Sequence, residues 1–312
     1  MQPIEEILEG KLQARRDANS YRELNDFSSL VDFSSNDYLG MAKEGKGSTG
    51  SRLISGNYKE IEFLENQLGF EIKYQQRIES AEEFAEIEAE FQAIVLAIGL
   101  GPTRDLRING EHLKGCWGAV EFIEELKLNQ HEIKVGDTVL VLGGGNTAMD
   151  AASEACRMGA NRVILAYRRA MTSKGAYEFE YELAKGVGAK AVWNITPKTI
   201  VGNGKVEGVE FLRTEELQGK VQAIEGSEFT IPCDMVIKAT GQEKQVPLLE
   251  RIAGLEWDNR GRIRTLEGSN QTHNPKYFAA GDALNGGKEV VNAVAEGKKA
   301  AQDIHQYLTQ RS

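Results

Sequence analysis

The sequence predicts an α/β fold built around a parallel sheet, and three observations carry that expectation. Short apolar runs that end near glycine, QAIVLAIG at 92–99, DTVLVLGGG at 137–145 and DMVIKATG at 234–241, alternate with helix-like stretches such as WGAVEFIEELKL. A strand buried on both faces needs such a continuous apolar run, and strands of that kind belong to parallel sheets covered by helices on both faces. The third observation is a complete strand–turn–helix–strand unit at residues 136–170, the strongest piece of chemistry in the chain.

Taken in order, residues 1–66 open with a charged helix-like run from Ile4 to about Tyr21, then LVDFSSNDYLG, a short strand entering a turn. A Gly/Ser-rich loop, GKGSTGSRLISGN at 45–57, leads to an amphipathic helix, YKEIEFLENQLG. From about residue 70 strands and helices alternate: FEIKYQQRI reads as a strand, EFAEIEAEF as a charged connection, QAIVLAIG as a strand and WGAVEFIEELKL as a helix. Between 191 and 237 the runs AVWNITPKTIVG, KVEGVEFLRTEE and GSEFTIPC look like antiparallel strands joined by Gly and Asn turns, and DMVIKATG is a last buried strand. The segment KYFAAGDALNGGKEVVNAVAEGKKAAQDIHQYL is strand, glycine turn and long helix, and no repeat or low-complexity tract occurs.

With 312 residues the chain can hold two domains, each with its own core. A formal net charge of −10 argues against a nucleic-acid partner, because neutralising phosphates needs clustered excess Lys and Arg. No apolar run approaches the ~20 residues that span a bilayer, and MQPIEEILEGKLQARR has no signal-peptide hydrophobic region, so a cytoplasmic location is expected. Cys116, Cys156 and Cys233 are far apart and show no CxxC spacing, which leaves three reduced thiols and no metal site.

In the unit at 136–170, TVLVL is the buried strand, Gly143-Gly144-Gly145-Asn146-Thr147-Ala148 fits G-x-G-x-x-G/A, and Thr147 to Met158 is the helix. Gly143 permits the tight turn, Gly145 lets a pyrophosphate approach the backbone, and Ala148 allows close helix–strand packing. The helix N-terminus then offers free N–H groups and the positive dipole end to phosphate. The second strand ends on Tyr167-Arg168-Arg169 where an acidic residue would hold the 2′-hydroxyl of NADH. Two guanidinium groups suit a 2′-phosphate, so NADPH is preferred; the plain alternative is a pair of solvated charges at a strand end.

Four motifs in order resemble the pyridine-nucleotide–flavin oxidoreductases of the glutamate synthase small-subunit and dihydropyrimidine dehydrogenase N-terminal type: AIVLAIGLG, VLVLGGGNTAMDAA with YRR, DMVIKATGQ and YFAAGDALNGGKEVVNAVAEGKKAA. The resemblance covers residues 70–309 or so and implies a glutathione-reductase-like flavoprotein fold with two dinucleotide-binding domains, in which hydride moves from NADPH to FAD. Carried over by motif, Gly99 and Gly241 lie on the hinge strands, Gly281 and Asp282 bind FAD, and Val290, Val291 and Ala293 lie near the flavin. Read without the resemblance, Asp282 serves equally as a helix N-cap. The cofactors carry the chemistry in such a family, so no catalytic side chain is assigned, and a partner subunit that accepts electrons is implied.

The family's opening G-x-G-x-x-G unit, which cradles the ADP half of FAD, and its cysteine-rich iron–sulfur segment have no counterpart here. In their place KLQARRDANSYRELN, VDFSSNDYLG and GSTGSRLISGNYKEIEFLENQL resemble the N-terminus of 8-amino-7-oxononanoate synthase, a pyridoxal-phosphate enzyme. The expected organisation is therefore chimera-like: an oxoamine-synthase-like fragment at 1–68, a partial FAD domain at 69–127 and 241–312, and an NADPH domain at 128–240. Neither Lys46 nor Lys59 fits an aldimine motif, which disfavours pyridoxal-phosphate catalysis. A non-catalytic NADPH-binding module is the other alternative to an NADPH–FAD oxidoreductase.

Overall fold

A computed structural model describes residues 69–73, 76–128 and 133–310 of the chain. From Ile72 onward the described residues belong to one compact unit. The helices, strand and Gly/Ser loop expected within residues 1–66 lie outside the described residues.

FEIKYQQRI is not a strand among its described residues, and its side chains are mostly exposed. A mixed polar segment without a buried face gains little from a strand conformation. EFAEIEAEF is helical instead: α1 spans Ala81–Glu90. The signal is a capping box, in which Ser80 Oγ accepts from Glu83 N at 3.2 Å and the Glu83 carboxylate accepts from Ser80 N at 2.9 Å.

Five parallel strands form the main sheet: β2 (Cys116–Gly118), β3 (Thr138–Leu142), β4 (Arg162–Tyr167), β5 (Lys190–Trp193) and β10 (Met235–Lys238), in the order β2-β10-β3-β4-β5. Alternation along β3 serves two cores at once. Val139 and Val141 face helices α2 (Ala119–Leu128), α3 (Asn146–Arg157) and α4 (Glu178–Gly186), where they meet Phe122, Ile123, Met149 and Ala152. Leu140 and Leu142 face the other way, toward Ile195, Ile200, Val209 and Phe211. Burying each such side chain is worth about 1.5–3 kcal/mol, which is why the run has no polar break.

Helices do not cover that second face. An antiparallel layer of β6 (Ile195–Val201), β7 (Gly208–Leu217), β8 (Lys220–Ala223) and β9 (Phe229–Pro232) takes their place. The run AVWNITPKTIVG divides at Asn194, whose φ of 57° turns the chain from the parallel sheet into this layer. Asn tolerates this left-handed conformation better than most residues. Strand β2 and helix α2 precede residue 128, yet they belong to this sheet and its core.

A smaller layer pairs β1 (Ile94–Leu96) in parallel with β11 (Tyr277–Ala279). Tyr277 and Ala279 pack with Leu96, Leu249 of α5 (Val246–Leu249), Ile252 and Ile263, while Phe278 and Ala280 pack with Ala300 and Tyr307 of α7 (Val290–Thr309). The two crossings between the layers, near 101–104 and 241–243, are hydrogen-bonded to each other. Gly101 N donates to Glu243 O at 2.9 Å, Arg104 N to Gly241 O at 2.9 Å, and Glu243 N to Pro102 O at 2.8 Å. Among the described residues no helix is long and apolar enough to cross a membrane. Cys116, Cys156 and Cys233 are unpaired, and burial pushes the Cys116 thiol up to about 11 and the Cys233 thiol up to about 12.

One ion cluster around the buried Lys238 ties the first crossing to the main sheet. Lys238 Nζ on β10 meets Asp105 Oδ1 at 2.7 Å and Glu111 Oε2 at 2.8 Å, and Glu111 also accepts from Leu106 N and Ile108 N. Burial opposes ionisation of both partners. The hydrogen bonds between them outweigh it, holding Glu111 below and Lys238 above their ordinary pKa values. Removing Lys238 strands a largely buried carboxylate, so Lys238→Ala is expected to cost about 3 kcal/mol in urea unfolding. Glu111 contributes stability above its unfolded value near 4.5, lost as pH falls through its lower folded value; Lys238 contributes below 10.5, lost as pH rises through its higher folded value. Glu111→Gln should therefore flatten the acid limb of the stability–pH curve, and an unchanged limb would contradict the pairing.

Candidate functional site

The turn after β3 is built by steric exclusion. Gly143 has φ 157°, and a Cβ there would come within 2.4 Å of the Ala239 carbonyl oxygen. A Cβ on Gly144 would meet the Tyr167 ring at 2.6 Å, so the middle glycine is as constrained as the first. Gly145 differs: it is the N-cap of α3, at φ −97° and ψ 178°, and a Cβ would meet nothing within 4 Å. Its side stands open to a ligand. Ala148 is wholly buried one turn later, at the contact between α3 and the sheet.

Residues 175–177 close over this turn. Gly175 N and Ala176 N both donate to Gly144 O, at 2.9 and 3.0 Å, and Tyr177 N donates to Asn146 Oδ1 at 3.0 Å. Asn146 Nδ2 lies 3.5 Å from Glu289 Oε1, next to the start of α7. The backbone N–H groups of Asn146 and Thr147 have no partner among the described residues.

Arg168 and Arg169 follow β4. Thr214 Oγ1 donates to Arg168 O at 2.8 Å and Asn194 N donates to Arg169 O at 3.2 Å, so β7 and the β5–β6 junction fix their backbone. Arg168 is exposed and Arg169 half-buried, and neither guanidinium meets a carboxylate among the described residues.

A cleft of about 810 Å³ opens between the two parallel layers. Of the residues singled out from sequence, Asn146, Thr147, Gly99, Gly241, Gly281, Asp282, Val290 and Ala293 line it. Gly143, Gly144, Gly145 and Ala148 lie behind or beside that wall, Arg168 and Arg169 stand away from it, and Val291 is exposed outside it. The glycine turn at 281 is fixed from behind, since Gly281 has φ 71° and Glu296 of α7 accepts from Gly281 N at 2.8 Å and from Asn285 Nδ2. Gly281, not Asp282, occupies the N-cap of the short helix α6 (Asp282–Asn285). The Asp282 carboxylate instead accepts from Lys288 N at 3.1 Å, so the N-cap alternative does not hold.

Several cleft residues carried no motif. Arg104 and Lys244 stand on the paired crossings, and Lys244 Nζ donates to Gly286 O at 3.3 Å. Burial, reinforced by the Arg104 cation, holds the Lys244 ammonium below its ordinary pKa, with Asp282 acting in the opposite sense. Tyr177 and Glu289 complete the wall near Asn146. Their only signal in sequence was proximity to a glycine turn.

Two parallel layers that meet at one cleft, with the N-terminus of α3 and the Gly281 turn in its wall, have the glutathione-reductase-like fold. The chain belongs to the pyridine nucleotide-disulphide oxidoreductase family, whose model matches residues 14–297. It is 33% identical over 264 residues to the glutamate synthase (NADPH) small chain of Escherichia coli K12, covering 77% of this chain and 56% of that one. Identity to subunit PreT of NAD-dependent dihydropyrimidine dehydrogenase from the same organism is 32% over 242 residues, covering 78% and 54%. The chain thus spans just over half the length of these relatives. In fold it is similar to Mycobacterium tuberculosis FprA, solved in complex with NADPH, at a TM-score of 0.63 and 17% identity, covering 81% of this chain and 72% of FprA. The family match begins at residue 14, inside the segment resembling 8-amino-7-oxononanoate synthase; that resemblance, and the chimera it implied, finds no support.

The close approach at Gly143 makes a direct prediction. Gly143→Ala places a methyl group against the Ala239 carbonyl and should cost about 2–3 kcal/mol, the range of a strained, overpacked substitution. Gly145→Ala, facing open space, should leave stability within about 0.5 kcal/mol of the parent in the same denaturation experiment.

Proposed function

We propose that this chain is the NADPH-binding, flavin-reducing part of an oxidoreductase whose electrons pass to a partner subunit. The observation that carries this reading is the cleft itself, where the N-terminus of α3 and the Gly281–Asp282 turn share one wall-to-wall space. The residues present fit a 2′-phosphorylated dinucleotide. Gly145 leaves room for a pyrophosphate, the Asn146 and Thr147 amides are available to it, and Arg168 and Arg169 have no competing carboxylate among the described residues. For FAD the fit is to the flavin end: Gly281, Asp282, Val290 and Ala293 line the cleft, and Gly99 and Gly241 flank it on the crossings. A strand–G-x-G-x-x-G–helix cradle for the adenosine end is not among the described residues.

When bound, NADPH supplies a hydride and FAD accepts it. The chain's own residues orient and shield. The α3 N-terminus places positive dipole charge at the pyrophosphate, and the arginine pair neutralises the 2′-phosphate with planar donors. Val290 and Ala293 present apolar surface that excludes water, and Glu296 keeps the Gly281 turn in the conformation that only glycine adopts easily. No side-chain acid or base is assigned. In this reading the NADPH domain is 128–240 with β2 and α2 added at its start, and the flanking residues form a partial FAD domain. The relatives, themselves a small chain and a subunit, support the proposal of a partner subunit.

Protein incubated with FAD and desalted should retain visible flavin absorbance; a colourless protein that still binds NADPH would favour a binding module instead. Replacing Arg168 and Arg169 together by Ala should weaken NADPH by about 1.5–3 kcal/mol, measured by titration calorimetry, and NADH far less. Equal losses for the two nucleotides would sink the 2′-phosphate assignment.

A further inference from the structure

The arginine pair and the cleft lie at different places, and that separation bears on how a dinucleotide is laid out. Arg168 and Arg169 follow β4 and stand outside the cleft wall, whereas Asn146, Thr147 and Tyr177 are part of it. A dinucleotide whose 2′-phosphate meets the arginines and whose pyrophosphate meets the α3 N-terminus must send its nicotinamide half into the cleft, toward Gly281 and Val290. Tyr177 stands beside that entrance. Its main chain is anchored by the bond from Tyr177 N to Asn146 Oδ1, and its ring is stacked on Phe179 at a centroid distance of 5.6 Å and an interplanar angle of 9°.

The Tyr177 side chain is not engaged with the core, and half of its surface is exposed. A ring with one face on Phe179, a fixed main chain and a place in the cleft wall presents its uncovered area to whatever fills the cleft. Flat aromatic surfaces in such positions gain from stacking on a planar ring while displacing little structure. We infer that Tyr177, backed by Phe179, is a binding residue for the nicotinamide half of the dinucleotide. This rests on the proposed function, because it assumes that a nicotinamide dinucleotide occupies the cleft. It assigns the two ends of that ligand to different parts of the chain: the phosphorylated adenosine end to the arginines and the nicotinamide end to the aromatic pair.

The test uses the full chain and three probes: NADPH, NADH and 2′,5′-ADP, which carries the 2′-phosphate but no nicotinamide. Tyr177→Ala should raise the Kd for NADPH by about 2- to 12-fold, the range of one aromatic contact, and NADH in proportion. Its Kd for 2′,5′-ADP should stay at the parent value, and Tyr177→Phe should restore NADPH binding. Unchanged NADPH affinity in Tyr177→Ala would overturn the inference. So would an equal loss of 2′,5′-ADP, since that would make Tyr177 a structural part of the loop over Gly144. Failure of the parent protein to bind NADPH at all would instead strike at the proposed function, which keeps the two outcomes apart.

Discussion

The site depends on how closely the chain passes itself at the end of β3. Gly143 lies against the Ala239 carbonyl and Gly144 against the Tyr167 ring, at distances that leave no room for a side chain on either. That contact brings the ends of β10, β3 and β4 together, so the glycine turn, the crossing at 239–244 and the Tyr167-Arg168-Arg169 segment are set by one packing constraint. The open side of Gly145 is a consequence: with the two preceding residues pressed into the sheet, the third faces outward at the start of α3. Everything proposed about the nucleotide rests on that turn.

A second constraint works at longer range. The crossings between the two layers are paired by backbone hydrogen bonds, and the Lys238–Asp105–Glu111 cluster fastens the first crossing to the main sheet. Desolvating the Lys238 and Glu111 charges is costly, and the hydrogen bond between them offsets that cost only in a fixed geometry, while the Asp105 carboxylate stays exposed. Arg104 and Lys244, which ride on these crossings, are thereby delivered to the cleft although neither belongs to a recognisable motif. Glu296 does comparable work on the opposite wall, where its carboxylate fixes the Gly281 turn through a main-chain donor.

Much of this was legible in the residues. TVLVL could only be a strand buried on both faces, the glycine-rich turn with its following helix has one common structural meaning, and the strand–glycine–long-helix order of the C-terminal segment holds. Other segments are less legible for physical reasons. EFAEIEAEF looked like a connection because its charges hid a weakly amphipathic helix, although Ser80 and Glu83 carried the capping-box signature. FEIKYQQRI has strand-like composition, but strand propensity without a face to bury is a weak force. The antiparallel strands between 191 and 237 are legible, but not that they form the layer that replaces helices on the second face, because packing between distant layers leaves little trace in local sequence. Tyr177, Glu289 and Lys244 were missed for a related reason: they reach the cleft through tertiary contacts alone.

At stake is the proposal that the N-terminus of α3 and the Gly281 turn serve one reaction across one cleft. It is tested most directly by anaerobic mixing of the FAD-loaded chain with one equivalent of NADPH while flavin absorbance is followed. The account predicts bleaching of the flavin, with the same loss of signal reached more slowly with NADH. A flavin that stays oxidised while NADPH is demonstrably bound would contradict it.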